Sequence, residues 1–116
     1  MIWEAVDSIT DDYMREMLST TRPYTIVLLR KTPRRLESGA DKIVWEHGRR
    51  NFELRRDGIL RIVCPVSGKG DLTGVCIFST DEEKTKKLMD EDPAVKAGIL
   101  TYEVHTAVSF PHVSLG

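Results

Sequence analysis

Two short β-prone runs decide the fold. Ile59-Leu60-Arg61-Ile62-Val63-Cys64 and Thr73-Gly74-Val75-Cys76-Ile77-Phe78 flank Pro65 and the loop Val66-Ser67-Gly68-Lys69-Gly70-Asp71. Apolar and β-branched residues fill both runs, Pro65 stops the first, and the turn-rich loop between them makes an antiparallel pair. Immediately before the pair, Ile43 to Arg56 reads as a helix that ends at Asp57-Gly58, where Gly58 can take the left-handed cap. Immediately after it, Thr80 with Glu83 makes a capping box. Asp81 to about Asp90 is then helical, with Leu88 and Met89 inward and Lys84, Lys86 and Lys87 on a solvated face.

Further out, Thr25-Ile26-Val27-Leu28-Leu29-Arg30 is a near-continuous β-prone run, and Leu100 to Val108 alternates, with Tyr102, Val104, Thr106 and Val108 on one side. The connection Lys31 to Asp41 carries Pro33, Arg34, Arg35 and Gly39 and reads as an exposed loop. Ahead of it all, Thr10 to Leu18 reads as a short helix. Thr10 caps it, Asp11 and Asp12 complement its dipole, and Tyr13, Met14, Met17 and Leu18 share a face. Ser19-Thr20-Thr21-Arg22-Pro23 breaks that helix.

The order is therefore a helix followed by β-α-β-β-α-β. That is the α+β, ferredoxin-like arrangement, a four-stranded antiparallel sheet with helices on one face. Residues 1–22 form an N-terminal helical extension and 23–116 the ferredoxin-like domain. One sheet face is left bare, and a small domain commonly hides such a face against a copy of itself, so a homodimer is expected. The helix 43–56 also carries apolar residues on two sides. Ile43 and Leu54 want the sheet, while Trp45 and Phe52 on the opposite side want the N-terminal helix or a second subunit.

A chain of 116 residues suits one domain. Its 17 basic and 18 acidic side chains give a formal charge of −1, which offers no field to gather nucleic acid or an anionic membrane. No apolar run approaches the roughly 18 to 20 residues of a membrane span, and Met1 to Asp7 lacks the basic and apolar regions of a secretory signal, so a soluble, cytoplasmic protein is expected. Cys64 and Cys76 sit in strand-like runs rather than a short-spaced ligand pair, which favours reduced thiols over a bridge or a metal.

The chemistry concentrates on His47 and Asp92. His47 lies among apolar positions that recur at helical spacing, so its imidazole is aimed at the core side. Asp92 opens Asp92-Pro93-Ala94-Val95-Lys96-Ala97-Gly98, a helix cap followed by Pro at the first helical position and a Gly stop. Together they would form an acid/base dyad; apart, one is a core-edge histidine and the other only a cap. Ser67 could offer a hydroxyl to a ligand, although a Ser-Gly turn is usually just a turn. Arg34 and Arg35 could clamp a carboxylate, but adjacent loop residues point different ways. Trp45, Phe52 and Tyr102 read as packing side chains. His105 and His112 lack the companions a zinc site requires, so no metal and no cofactor is expected.

The region from about Tyr24 to Pro111 resembles the YCII family of small dimeric α/β-barrel proteins, related in fold to muconolactone isomerase. The resemblance rests on His47 in a helix eleven residues before Gly58, the strand from Gly58 to Pro65, and Gly74 opening a strand followed by Asp92-Pro93-Ala94-Val95 and Gly98. It implies that His47 and Asp92 form a dyad in a pocket. It also implies proton transfer on small hydroxylated or chlorinated ring compounds, by isomerisation or loss of hydrogen chloride. Cys64 where a glycine is common, Gly48 after the histidine, and the basic loop 31–41 depart from the family pattern. The alternative reading is a non-catalytic dimeric module that binds a small molecule or serves as a scaffold.

Overall fold

The computed structural model describes residues 8–112 and 115; Met1 to Asp7, on which the signal reading and the first part of the 1–22 extension fall, and Val113, Ser114 and Gly116 at the end of the 23–116 domain lie outside the described residues. Alternation of side chains along the strands sets the architecture. In β1 (Arg22–Lys31), Thr25, Val27 and Leu29 are buried while Tyr24, Ile26 and Leu28 between them are only half-buried. Successive side chains of a strand point to opposite faces, so one face of β1 is covered and the other is not.

The remaining elements are helix α1 (Asp11–Leu18), a 3₁₀ turn at Pro33–Leu36, α2 (Ala40–Arg56), β2 (Leu60–Pro65), β3 (Leu72–Phe78), α3 (Glu82–Asp90), α4 (Pro93–Lys96) and β4 (Leu100–Ser109). The four strands form one antiparallel sheet in the order β2-β3-β1-β4. This is the ferredoxin-like α+β fold. Val27, Leu29, Leu60, Cys76 and Phe78 from the sheet meet Leu54 of α2, Met89 of α3 and Ala94 of α4 in a single core. Register places Ile26 opposite Ile77, Ile77 opposite Ile62, and Val75 between Leu28 and Cys64. Residues directly opposite share a face, so these make an apolar patch on the uncovered side. Arg30 borders it, bonded to Glu103 at 3.1 Å and Asp71 at 2.9 Å.

Several boundaries differ from the sequence reading for local reasons. β1 starts at Arg22, because its pairing with β4 extends to Arg22–Ser109. α2 begins three residues earlier than Ile43, and the buried Ala40 in its first turn joins the core. The loop after β1 is partly ordered: Thr32 Oγ1 accepts from Arg34 N and donates to the Gly98 carbonyl at 2.6 Å. Asp81 rather than Thr80 caps α3, accepting from Lys84 N at 2.8 Å, since a carboxylate suits the positive end of a helix better than a hydroxyl. Thr80 instead lies 2.7 Å from the inward-facing Thr85 hydroxyl. Trp45 and Phe52 do not pack within the chain; they are 70% and 73% exposed. Tyr102 does pack, and its hydroxyl donates to Asp90 at 2.6 Å, tying β4 to α3.

Candidate functional site

Helix α2 turns His47 toward the sheet, where it is 9% exposed, and the helical repeat puts Arg50 and Asn51 on the same side. Asp92 arrives from α4. Its backbone is extended at the N-cap, and its Oδ2 accepts from the amides of Ala94 at 2.9 Å and Val95 at 3.2 Å. Those two bonds fix the carboxylate plane. Oδ1 is left pointing at α2 and lies 2.7 Å from His47 Nδ1, joining residues forty-five positions apart. The two sequence-nominated groups are therefore in direct contact.

Asp92 is fully buried. Burial pushes its carboxyl up, but the hydrogen bond and charge of His47, with the amides of Val95 and Ala94, outweigh that, and the net shift is downward. An ionised carboxylate can only accept, so Nδ1 of His47 is the donor. In the neutral imidazole Nε2 then carries the lone pair, and Asn51 Nδ2 stands 3.3 Å from it, in position to donate. Arg50 adds a cation: its Nη1 is 3.7 Å from Asp92 Oδ1, and its Nη2 is 3.9 Å from Glu91.

His47 and Asn51 line a hollow of about 260 Å³ between α2 and the sheet. Leu29, Val44, Val63, Cys76 and Leu100 provide apolar walls; Thr73 and Arg35 contribute polar groups. Burial pushes the Cys76 thiol up to about 12, with Cys64 and Asp92 adding to the rise, so it is a neutral wall residue. Cys64 and Cys76 are both free thiols.

Arg35 reaches the hollow, whereas Arg34 leaves it to donate to the Ala97 carbonyl at 3.0 Å. Ser67 is exposed in the β2–β3 loop and does not line the hollow. Asn51 could have been found in the sequence as the residue one helical turn beyond His47, but its type carried no signal there. Arg35 was named in the sequence beside Arg34 as a possible clamp, but the path of the loop decides which of the two reaches the hollow. Among the described residues, no three His, Cys, Asp or Glu side chains converge as a metal site, and no helix is long and apolar enough to cross a membrane.

No family model matches the chain, and neither does any curated protein. Among solved structures, 5-chloro-2-hydroxyhydroquinone dehydrochlorinase from Burkholderia phenoliruptrix AC1100, in complex with 2,5-dihydroxybenzoquinone, is similar at 18% identity and a TM-score of 0.48. The similarity covers 74% of this chain and 90% of that one.

Proposed function

We propose that this protein is a proton-transfer enzyme in which His47 is the general base and Asp92 its orienting anion. One observation carries the reading: a buried carboxylate, held by two backbone amides, meets Nδ1 at 2.7 Å, and His47 lines a hollow. Nε2 removes a proton from carbon or oxygen of a bound substrate. The imidazolium that results keeps its Nδ1–H bond to Asp92, whose charge stabilises it. Asn51 first donates to Nε2; after proton transfer, rotation of its amide presents Oδ1 to the new Nε2–H. Returning that proton to another substrate atom completes an isomerisation, and loss of a leaving anion completes an elimination.

The substrate class comes from the sequence resemblance to the YCII family, in which we place the 23–116 region: small hydroxylated or chlorinated ring compounds. A hollow of about 260 Å³ with mainly apolar walls suits a single substituted ring. Ser67, exposed on the β2–β3 loop, would meet a bound ligand once that loop closes over the hollow. The functional unit we propose is a homodimer joined through the uncovered sheet face.

The test is hydrogen–deuterium exchange into a panel of lactones and halogenated phenols, followed by NMR. Wild-type protein should catalyse exchange, and His47→Ala should lower the rate by about 10² to 10⁴-fold, the usual contribution of a general base. An unchanged rate removes His47 from the mechanism. A second reading, a binding module without turnover, is favoured by Asn51, which already occupies the Nε2 lone pair at 3.3 Å. It predicts saturable binding of a panel member with no exchange in any variant.

A further inference from the structure

On its outer side α2 carries a second hollow, an open groove of about 510 Å³ that includes Val44, Trp45, Gly48 and Phe52, with Arg35 and Arg49 at the rim. Two large aromatics standing this far out of the surface are uncommon in a chain without a partner at that spot. Gly48, between them, has nothing within 4 Å of where a Cβ would stand, so another backbone can come close there.

The same chain carries a helix of matching character. Met14 and Leu18 of α1, four residues apart and hence on one stripe, are exposed, and so is Ile9 at the position that staples to Met14 across the cap. Of α1, Met17 is buried, while Met14 and Leu18 are left uncovered by the described residues. The remainder of α1 is acidic, Asp11, Asp12 and Glu16 against Arg15, and the groove is basic, Arg35 and Arg49 against Asp41. Arg35 bonds Asp41 and Arg49 bonds Glu46 in the free chain, but these pairs are at least partly solvated and exchange partners at little cost.

In this structure α1 does not fill its own chain's groove, since Trp45 and Phe52 stay 70% and 73% exposed. Only Ser19, Thr20 and Thr21 connect Leu18 to Arg22, and four steps of fully extended chain span about 14 Å at most. All three hydroxyls are tied back to carbonyls of Glu16, Met17 and Leu18, which shortens the connection further.

From these observations we infer that α1 of one copy docks by its Met14–Leu18 stripe into the Trp45–Phe52 groove of a second copy. This is helix-in-groove recognition between identical chains. Because Arg35, Val44 and Gly48 line both hollows, the docked helix lies along the rim that the groove shares with the His47 hollow. Arm docking neither needs nor tests the chemistry at His47.

Fluorescence mixing tests it. The acceptor is Trp3→Phe with Leu18→Asp, whose one tryptophan is Trp45 and whose own arm is disabled. The donor is Trp3→Phe with Trp45→Phe, which emits no tryptophan signal and keeps its arm. Adding donor to acceptor at micromolar concentration should move Trp45 emission to shorter wavelength, and a donor that also carries Leu18→Asp should not move it. No shift with the arm-intact donor overturns the inference. So does an equal shift with both donors, or a Trp45 already shielded in the acceptor alone.

Discussion

Asp92 does two jobs with two oxygens, and each can be read out separately. Oδ2 caps α4 and Oδ1 meets His47, so Asp92→Asn keeps an acceptor for the amides but leaves His47 Nδ1–H facing a neutral amide. At neutral pH this should cost about 1 to 3 kcal/mol of stability, the range for a buried polar group that loses its charged partner. The sign of the pH dependence follows from the direction of the shift. The folded carboxyl ionises more readily than an unfolded one, whose pKa is about 3.9, so its contribution is fully present above that value. It is lost as pH falls through the lower, folded value. Urea unfolding of wild type and Asp92→Asn should therefore give curves that differ at pH 7 and converge in acid. A difference that stays constant from pH 7 to pH 2 would show that folding does not lower the carboxyl's pKa.

At the scale of elements, α2 and α4 end in the same way, and that shared ending delivers the dyad. Gly58 and Gly98 both take φ values near +75°, at +76° and +73°. The Ile59 amide donates to the Leu54 carbonyl at 3.0 Å and the Ile99 amide to the Ala94 carbonyl at 2.9 Å, the six-to-one bond that closes a helix around a left-handed residue. Gly98 has an additional constraint, since a Cβ there would lie 3.1 Å from the Arg34 guanidinium. Gly98→Ala should lower stability by about 1 to 2 kcal/mol, the usual cost of the left-handed region for a residue with a side chain, measured by chemical denaturation. It should also loosen the Asp92 cap, because α4 is a single turn. These endings were legible in the sequence, as were the strands, their antiparallel pairing and both core helices, since periodicity and Gly or Pro punctuation are local signals. Contact between His47 and Asp92 was not a local signal; it came from resemblance. The second apolar side of α2, Trp45 and Phe52, was also legible as periodicity, but that it stays bare, that Arg35 rather than Arg34 reaches the hollow, and that Asn51 meets His47 needed coordinates, because a loop path and the absence of a cover are not local signals.

At the scale of the whole molecule, two apolar surfaces stay uncovered, and they ask for different partners. The sheet face is a flat patch of Ile26, Leu28, Ile62, Val75 and Ile77 fenced by Arg30, Asp71 and Glu103. A flat patch meeting its own copy about a two-fold axis makes a closed, isologous contact. The α2 groove is concave and takes a helix, which makes it a site for an arm instead of another flat face. Separate substitutions distinguish them. With the arm disabled by Leu18→Asp, the sheet contact alone should still hold a dimer at micromolar concentration in light scattering. Adding Ile26→Asp places a charge between Ile77 on β3 and His105 on β4, within the face that the proposed sheet contact would bury. That double variant should run as a folded monomer, with its far-ultraviolet circular dichroism unchanged because Ile26 lies outside the core formed by the other face. A monomer with Leu18→Asp alone would mean that the arm, and not the sheet, holds two copies together.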